Sequence, residues 1–159
     1  MATTHNATGF AEFVSQVAPW GGGAGQFSVL KFHVDMAAIA AELAATVDGS
    51  AADIVQLWDI PVGCKILGVL VNVTTVEGAA ATVAIGDGTQ PAGFMAAGSI
   101  NALTTTTMLG SSTATDAYAI IGGKLYLTTD TLDLTFATAA DIDLAVFDVY
   151  VMCIFINID

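Results

Sequence analysis

The segment Ala145 to Ile158 reads as a long strand that is apolar on both faces, and a strand of that kind has to be covered from both sides. Ala145, Phe147, Val149, Val151, Cys153 and Phe155 fall on one face. Val146, Tyr150, Met152, Ile154 and Ile156 fall on the other, and only Asp148 interrupts them. A two-sheet sandwich covers one face by itself. The second face calls for a partner subunit or for another part of the chain folded over it, and Tyr150, Met152 and Ile154 are the interface candidates it supplies.

Other windows carry the period of two as well. Gln26 to Asp35 alternates Leu30, Phe32 and Val34 against Lys31, His33 and Asp35. Ile54 to Ile60, Cys64 to Thr75, Ala81 to Ile85, Ala117 to Ile121, Lys124 to Thr128 and Leu132 to Ala137 are rich in Val, Ile, Leu and Thr, and turn residues separate them. With turns at Pro61-Val62-Gly63 and Glu77-Gly78, Ile54 to Ile85 reads as a meander or hairpin. Met36 to Ala45 is Ala-rich and suits a short helical connection. Gly86 to Thr115 lacks strong periodicity and reads as an ordered surface excursion with one or two short strands. About seven or eight strands separated by turn clusters predict an all-β protein, an antiparallel β-sandwich of jelly-roll-like type.

The first 25 residues differ from the rest. Phe10, Phe13, Val14 and Val17 are spaced like one face of a short helix, which Ala18-Pro19-Trp20 and the Gly21 to Gly25 run would end. The expected organisation is an N-terminal helical arm with a glycine-rich linker over 1–25 and a sandwich domain over 26–159. Phe10, Phe13, Val17 and Trp20 are the candidate anchors of that arm on another subunit, with packing on its own domain as the alternative. No Lys or Arg and no continuous apolar run occurs there, so no secretory signal is expected.

Composition narrows the function classes. Fifty-five per cent of residues are apolar and 11% are charged, which excludes a disordered chain. No apolar window reaches the roughly 20 residues of a spanning helix, so the apolar excess suits a protein that hides surface in an oligomer. Net charge is -12, from 15 acids against Lys31, Lys65 and Lys124 with no Arg, so neither nucleic acid nor an anionic membrane is an expected partner. Acidity of this kind also suits a saline habitat.

Chemistry-bearing patterns are absent. There is no GxSxG, HExxH, GxxxxGK[ST] or GxGxxG in its structural context, and His5 and His33 are the only histidines. His33, between Lys31 and Asp35, reads as solvated or interfacial. No catalytic residue, cofactor or metal site is expected. Asp87, Asp141 and Asp143 are weighed as loop ligands for Ca²⁺, but without the required acidic spacing they read as solvated turn acids. Cys64 and Cys153 read as small core hydrophobes, with a bridge between them left open. Trp58 reads as core, Trp20 equally as core or interface.

The stretch Leu57 to Ala102 contains Ile60-Pro61-Val62-Gly63 before a long strand and the turn GDGTQPAGF over Gly86 to Phe94. The stretch Ala117 to Ile156 contains DTLDLT over Asp130 to Thr135 and the apolar final strand. In this order the segments resemble small virion proteins of tailed bacteriophages and cyanophages, most of all head decoration (cement) proteins. The resemblance covers about two thirds of the chain and rests on structural turns. It implies a β-sandwich on the capsid exterior that binds the major capsid protein as a homo-oligomer, a trimer being favoured, with the arm and the Gly86 to Thr115 excursion as lattice contacts. The alternative is a tail or fibre component with a receptor- or carbohydrate-binding role.

Overall fold

The computed structural model describes residues 4–6, 12–13, 26–103, 105–108, 118, 122–137 and 141–156. Two sheets pack face to face as an all-β sandwich. The first runs β1 (Thr4–Asn6), β4 (Ile54–Ile60), β10 (Asp130–Ala137), β6 (Thr82–Gly86), β7 (Met95–Ser99). The second runs β2 (Glu12–Phe13), β3 (Gln26–Asp35), β11 (Val146–Phe155), β5 (Cys64–Thr75), β8 (Thr105–Met108), and β9 (Lys124–Leu125) also pairs with β5. Among the described residues these strands pair antiparallel except β1 with β4.

The final strand lies at the centre of the second sheet. All ten residues of β11 pair with β3 on one side, and the same ten pair with β5 on the other, where two bulges interrupt the register. Phe147, Val149, Val151 and Cys153 point inward and are buried, against Val55, Leu57, Leu132, Leu134 and Phe136 of the first sheet. A strand in this position reads as a continuous apolar run because its inner half is core and its outer half is flanked by long neighbours.

Sequence and structure agree on β3, β4 and β5 residue for residue, because β3 alternates strictly and β4 and β5 are runs rich in Val, Ile and Leu bounded by turns. The Ala-rich connection becomes α1 (Met36–Leu43), capped by the Asp35 carboxylate on the Ala38 amide, with Met36 and Ile39 closing one end of the core. The excursion carries β7 and β8 as its short strands.

Other expectations are corrected. β4, β5 and β6 do not form a meander or hairpin: the Pro61 to Gly63 turn carries the chain from the first sheet to the second, the connection through Glu77 and Gly78 carries it back, and the partners of β4 and β5 are distant in sequence. The helix expected across Phe13 is contradicted at Glu12–Phe13, where the backbone is extended and pairs with His33 and Phe32 of β3. Thr4–Asn6 likewise pairs with Ile54 to Gln56. The described parts of the first 25 residues thus supply an edge strand to each sheet, since an open sheet edge offers a row of free amides and carbonyls. Of the strand expected over 117–121 only Tyr118 is described, and its backbone is helical. The strand expected over Lys124 to Thr128 is limited to Lys124–Leu125.

Cys64 and Cys153 are buried free thiols on the adjacent strands β5 and β11. The contact with Cys64, and burial after it, push the Cys153 thiol well up, while the same contact holds Cys64 below its ordinary value. Trp58 is half-buried against the core, its ring 5.7 Å from that of Phe32.

Candidate docking surface and the clamps that shape it

The outer face of the second sheet is ordered in rows, because residues paired across antiparallel strands share a face. One row runs Leu125, Lys65, Ile154, Phe27 across β9, β5, β11 and β3. The next places Met152 between Gly68 and Val29, and the third places Tyr150 between Leu70 and Lys31. Phe27 is 51% exposed and Leu125 38%, while Val29, Leu70, Tyr150, Met152 and Ile154 are half-buried by one another. Leu127, 67% exposed, follows at the same end of β9. The result is a flat apolar area about 15 Å on a side, on the order of 300 Å².

The fourth row is polar and internally neutralised. Asp148, opposite His33 and Asn72, places one carboxylate oxygen 2.9 Å from Lys31 Nζ and the other 2.9 Å from His33 Nδ1. Burial alone would push this carboxyl up, but the His33 and Lys31 contacts outweigh it and hold it below the usual carboxylate range. Lys31 Nζ also lies 5.8 Å from the centre of the Tyr150 ring. His33 is thus a partner of Asp148 while its side chain stays 41% exposed.

Two buried carboxylates fix the connections around this sheet. Asp87, fully buried after β6, accepts from Lys124 Nζ at 2.6 Å, Tyr126 Oη at 2.7 Å, Tyr118 Oη at 3.1 Å and the amides of Thr89 and Gln90. Desolvation raises such a carboxyl, yet the Lys124, tyrosine and amide donors prevail and keep it ionised below its ordinary value. For Lys124, burial is likewise outweighed, and the Asp87 contact holds the ammonium above its ordinary value. Burial beside that carboxylate drives the Tyr126 phenol far up, so it remains a donor. Gly93 lies against the Tyr118 ring and leaves no room for a Cβ there. The second clamp is Glu77, whose carboxylate accepts from the amides of Asp143, Leu144 and Ala145 at 3.2, 3.2 and 2.9 Å and so holds the entry to β11.

Of the interface candidates, Tyr150, Met152 and Ile154 stand together on the outer face. Phe13 is placed only by its backbone, on the edge strand β2 of the same sheet. Phe10, Val17 and Trp20 lie outside the described residues. Sequence reasoning missed Phe27 and Val29, which continue the polar-looking Lys31–His33 face with apolar residues. The signal was their even spacing from Lys31. It also missed that Asp87 is buried: a GDG turn looks solvated, and its cationic partner lies 37 residues away. Asp141 is exposed and accepts from Thr46, and among the described residues no three His, Cys, Asp or Glu side chains gather as a metal site.

No family model matches this chain, and no curated protein matches it. Its fold does recur. A chain in the capsid of Ralstonia phage GP4 superposes with a TM-score of 0.57 at 12% identity, over 99% of this chain and all (100%) of that one. A chain of the cyanophage Pam1 capsid asymmetric unit superposes with a TM-score of 0.50 at 15% identity, over 89% of this chain and 94% of that one. At such identities the likeness is one of fold.

Proposed function

We propose that this chain is a structural protein of a tailed-phage virion that sits on the capsid exterior, binds the major capsid lattice as a homo-oligomer, a trimer by preference, and stabilises the shell by association rather than catalysis. The observation that carries this reading is the sharing of fold, over 99% of this chain, with a chain found in a phage capsid. The flat apolar face supports it, since a sheet face of this kind finds its use in contacts between proteins. A protein that binds the assembled shell in preference to free capsomers shifts assembly toward the shell by mass action.

The test is to mix the purified chain with undecorated shells of the phage that encodes it. The expected result is saturable attachment at a fixed number of copies and a higher temperature of shell disruption. Absence of attachment, together with density for the chain on the tail in a reconstruction of the particle, would overturn the capsid reading in favour of a tail or fibre component.

A further inference from the structure

We propose that the outer face of the second sheet, centred on Phe27, Met152 and Ile154, is the surface through which one copy of this chain binds another. This rests on the reading of the chain as an oligomer and names the surface and its occupant. Charge identifies the occupant. Two copies of a chain of net charge -12 repel each other wherever their acids face, at separations up to about 8 Å at physiological salt. The outer face is where that repulsion is weakest. It holds two of the three lysines, Lys31 and Lys65, against Asp148, whose carboxylate Lys31 and His33 already occupy, Asp35 at the end of β3, whose carboxylate caps the Ala38 amide, and Glu12, which shares the face by its pairing with His33. Asp59, Asp130 and Asp133 belong to the other sheet, and Asp48, Asp141 and Asp143 to connections. With two lysines among its acids, this face is therefore one that a second acidic copy approaches at a small charge penalty.

Anatomy agrees. Specific interfaces have an apolar centre and a polar rim and bury about 800 Å² per partner. Here an apolar centre on the order of 300 Å² is bordered by the Asn72, Asp148 and His33 row. A second copy also fits better than the capsid lattice as occupant. A chain with Phe27, Leu125 and Leu127 open to water needs cover from the moment it folds, and copies of itself are present then.

Sedimentation equilibrium of the full chain tests this, alongside the Phe27→Ser/Ile154→Thr double variant and Lys65→Glu. The expected results are a defined oligomer for the unaltered chain and a folded, smaller species for the double variant, judged by an unchanged circular dichroism spectrum. For Lys65→Glu, the dissociation constant should rise at least tenfold and recover in 1 M salt. A monomeric unaltered chain, or folded variants that keep the full oligomer, overturns the proposal. If the double variant does not fold, Lys65→Glu decides, since it leaves the apolar residues in place. Shells that bind the chain while the face substitutions leave the oligomer intact refute this proposal alone. An oligomer that dissociates as described but never binds shells refutes the capsid reading alone.

Discussion

The ammonium of Lys124, on β9 of one sheet, lies 2.6 Å from the carboxylate of Asp87, which follows β6 of the other, and the rings of Tyr118 and Tyr126 flank it at 4.7 and 4.6 Å. One ion pair thus joins the two sheets at the end where the excursion leaves the sandwich. Removing one partner strands a buried charge. Lys124→Met should cost about 3 kcal/mol, and the pair Lys124→Met/Asp87→Asn distinctly less than the two single changes together, because the second substitution removes the orphan. Urea unfolding of the four proteins checks this.

The same pair sets an acid limit. The folded Asp87 carboxyl is held below its ordinary value, so its contribution is fully present above the unfolded value near 4 and is lost as pH falls through the lower, folded one. Asp148 has the same sign, through His33 and Lys31. Stability measured from pH 6 downward should therefore fall below about pH 4. In Asp87→Asn it should start lower and fall less steeply.

Asp133 runs the other way. It is buried on β10 with one carboxylate oxygen unpartnered among the described residues, and desolvation raises its carboxyl despite a bond from Thr131. Its favourable contribution is complete below the unfolded value and disappears as pH rises through the folded one. Asp133→Asn should therefore stabilise the protein at pH 7 by about 1 kcal/mol, and the gain should vanish below about pH 4. Thermal unfolding at the two pH values reads it directly.

Glu77 is a positioning residue for the central strand. Its carboxylate serves the amides of Asp143, Leu144 and Ala145, and the Ala145 carbonyl in turn accepts from Met36 at the start of α1. Glu77→Ala should cost about 2 kcal/mol. Hydrogen exchange should quicken at those three amides and at Met36, while the centre of β11 stays protected. Uniform acceleration along β11 would contradict this.

What the sequence showed and what it hid follow from range. β3, β5 and β11 are legible because alternation and runs of Val, Ile and Leu are properties of neighbouring residues, and the alternation of β11 alone puts Tyr150, Met152 and Ile154 on one face. The sheet assignment of β4 and β5 was not legible, since a three-residue turn serves a hairpin and a sheet-to-sheet crossing equally. Asp87 and Glu77 were hidden for another reason. A turn acid looks solvated until the fold brings donors to it, and those donors come from 37 and about 67 residues away. The segment around Phe13 has helical spacing, but pairing at the edge of β3 outweighs that weak local preference.

Gly93 offers the sharpest test of the excursion's packing. A Cβ at this position would run into the Tyr118 ring, which also packs on Phe94 at 5.1 Å and donates to Asp87. Gly93→Ala must therefore displace Tyr118, losing both contacts, at a cost of about 2 kcal/mol. If Tyr118 carries that cost, a chain already lacking the ring will not feel the added methyl. Gly93→Ala in the background of Tyr118→Ala should then cost less than about 0.5 kcal/mol, a coupling well outside the additivity of independent sites. Full additivity of the two substitutions would place the strain on the backbone at Gly93 instead.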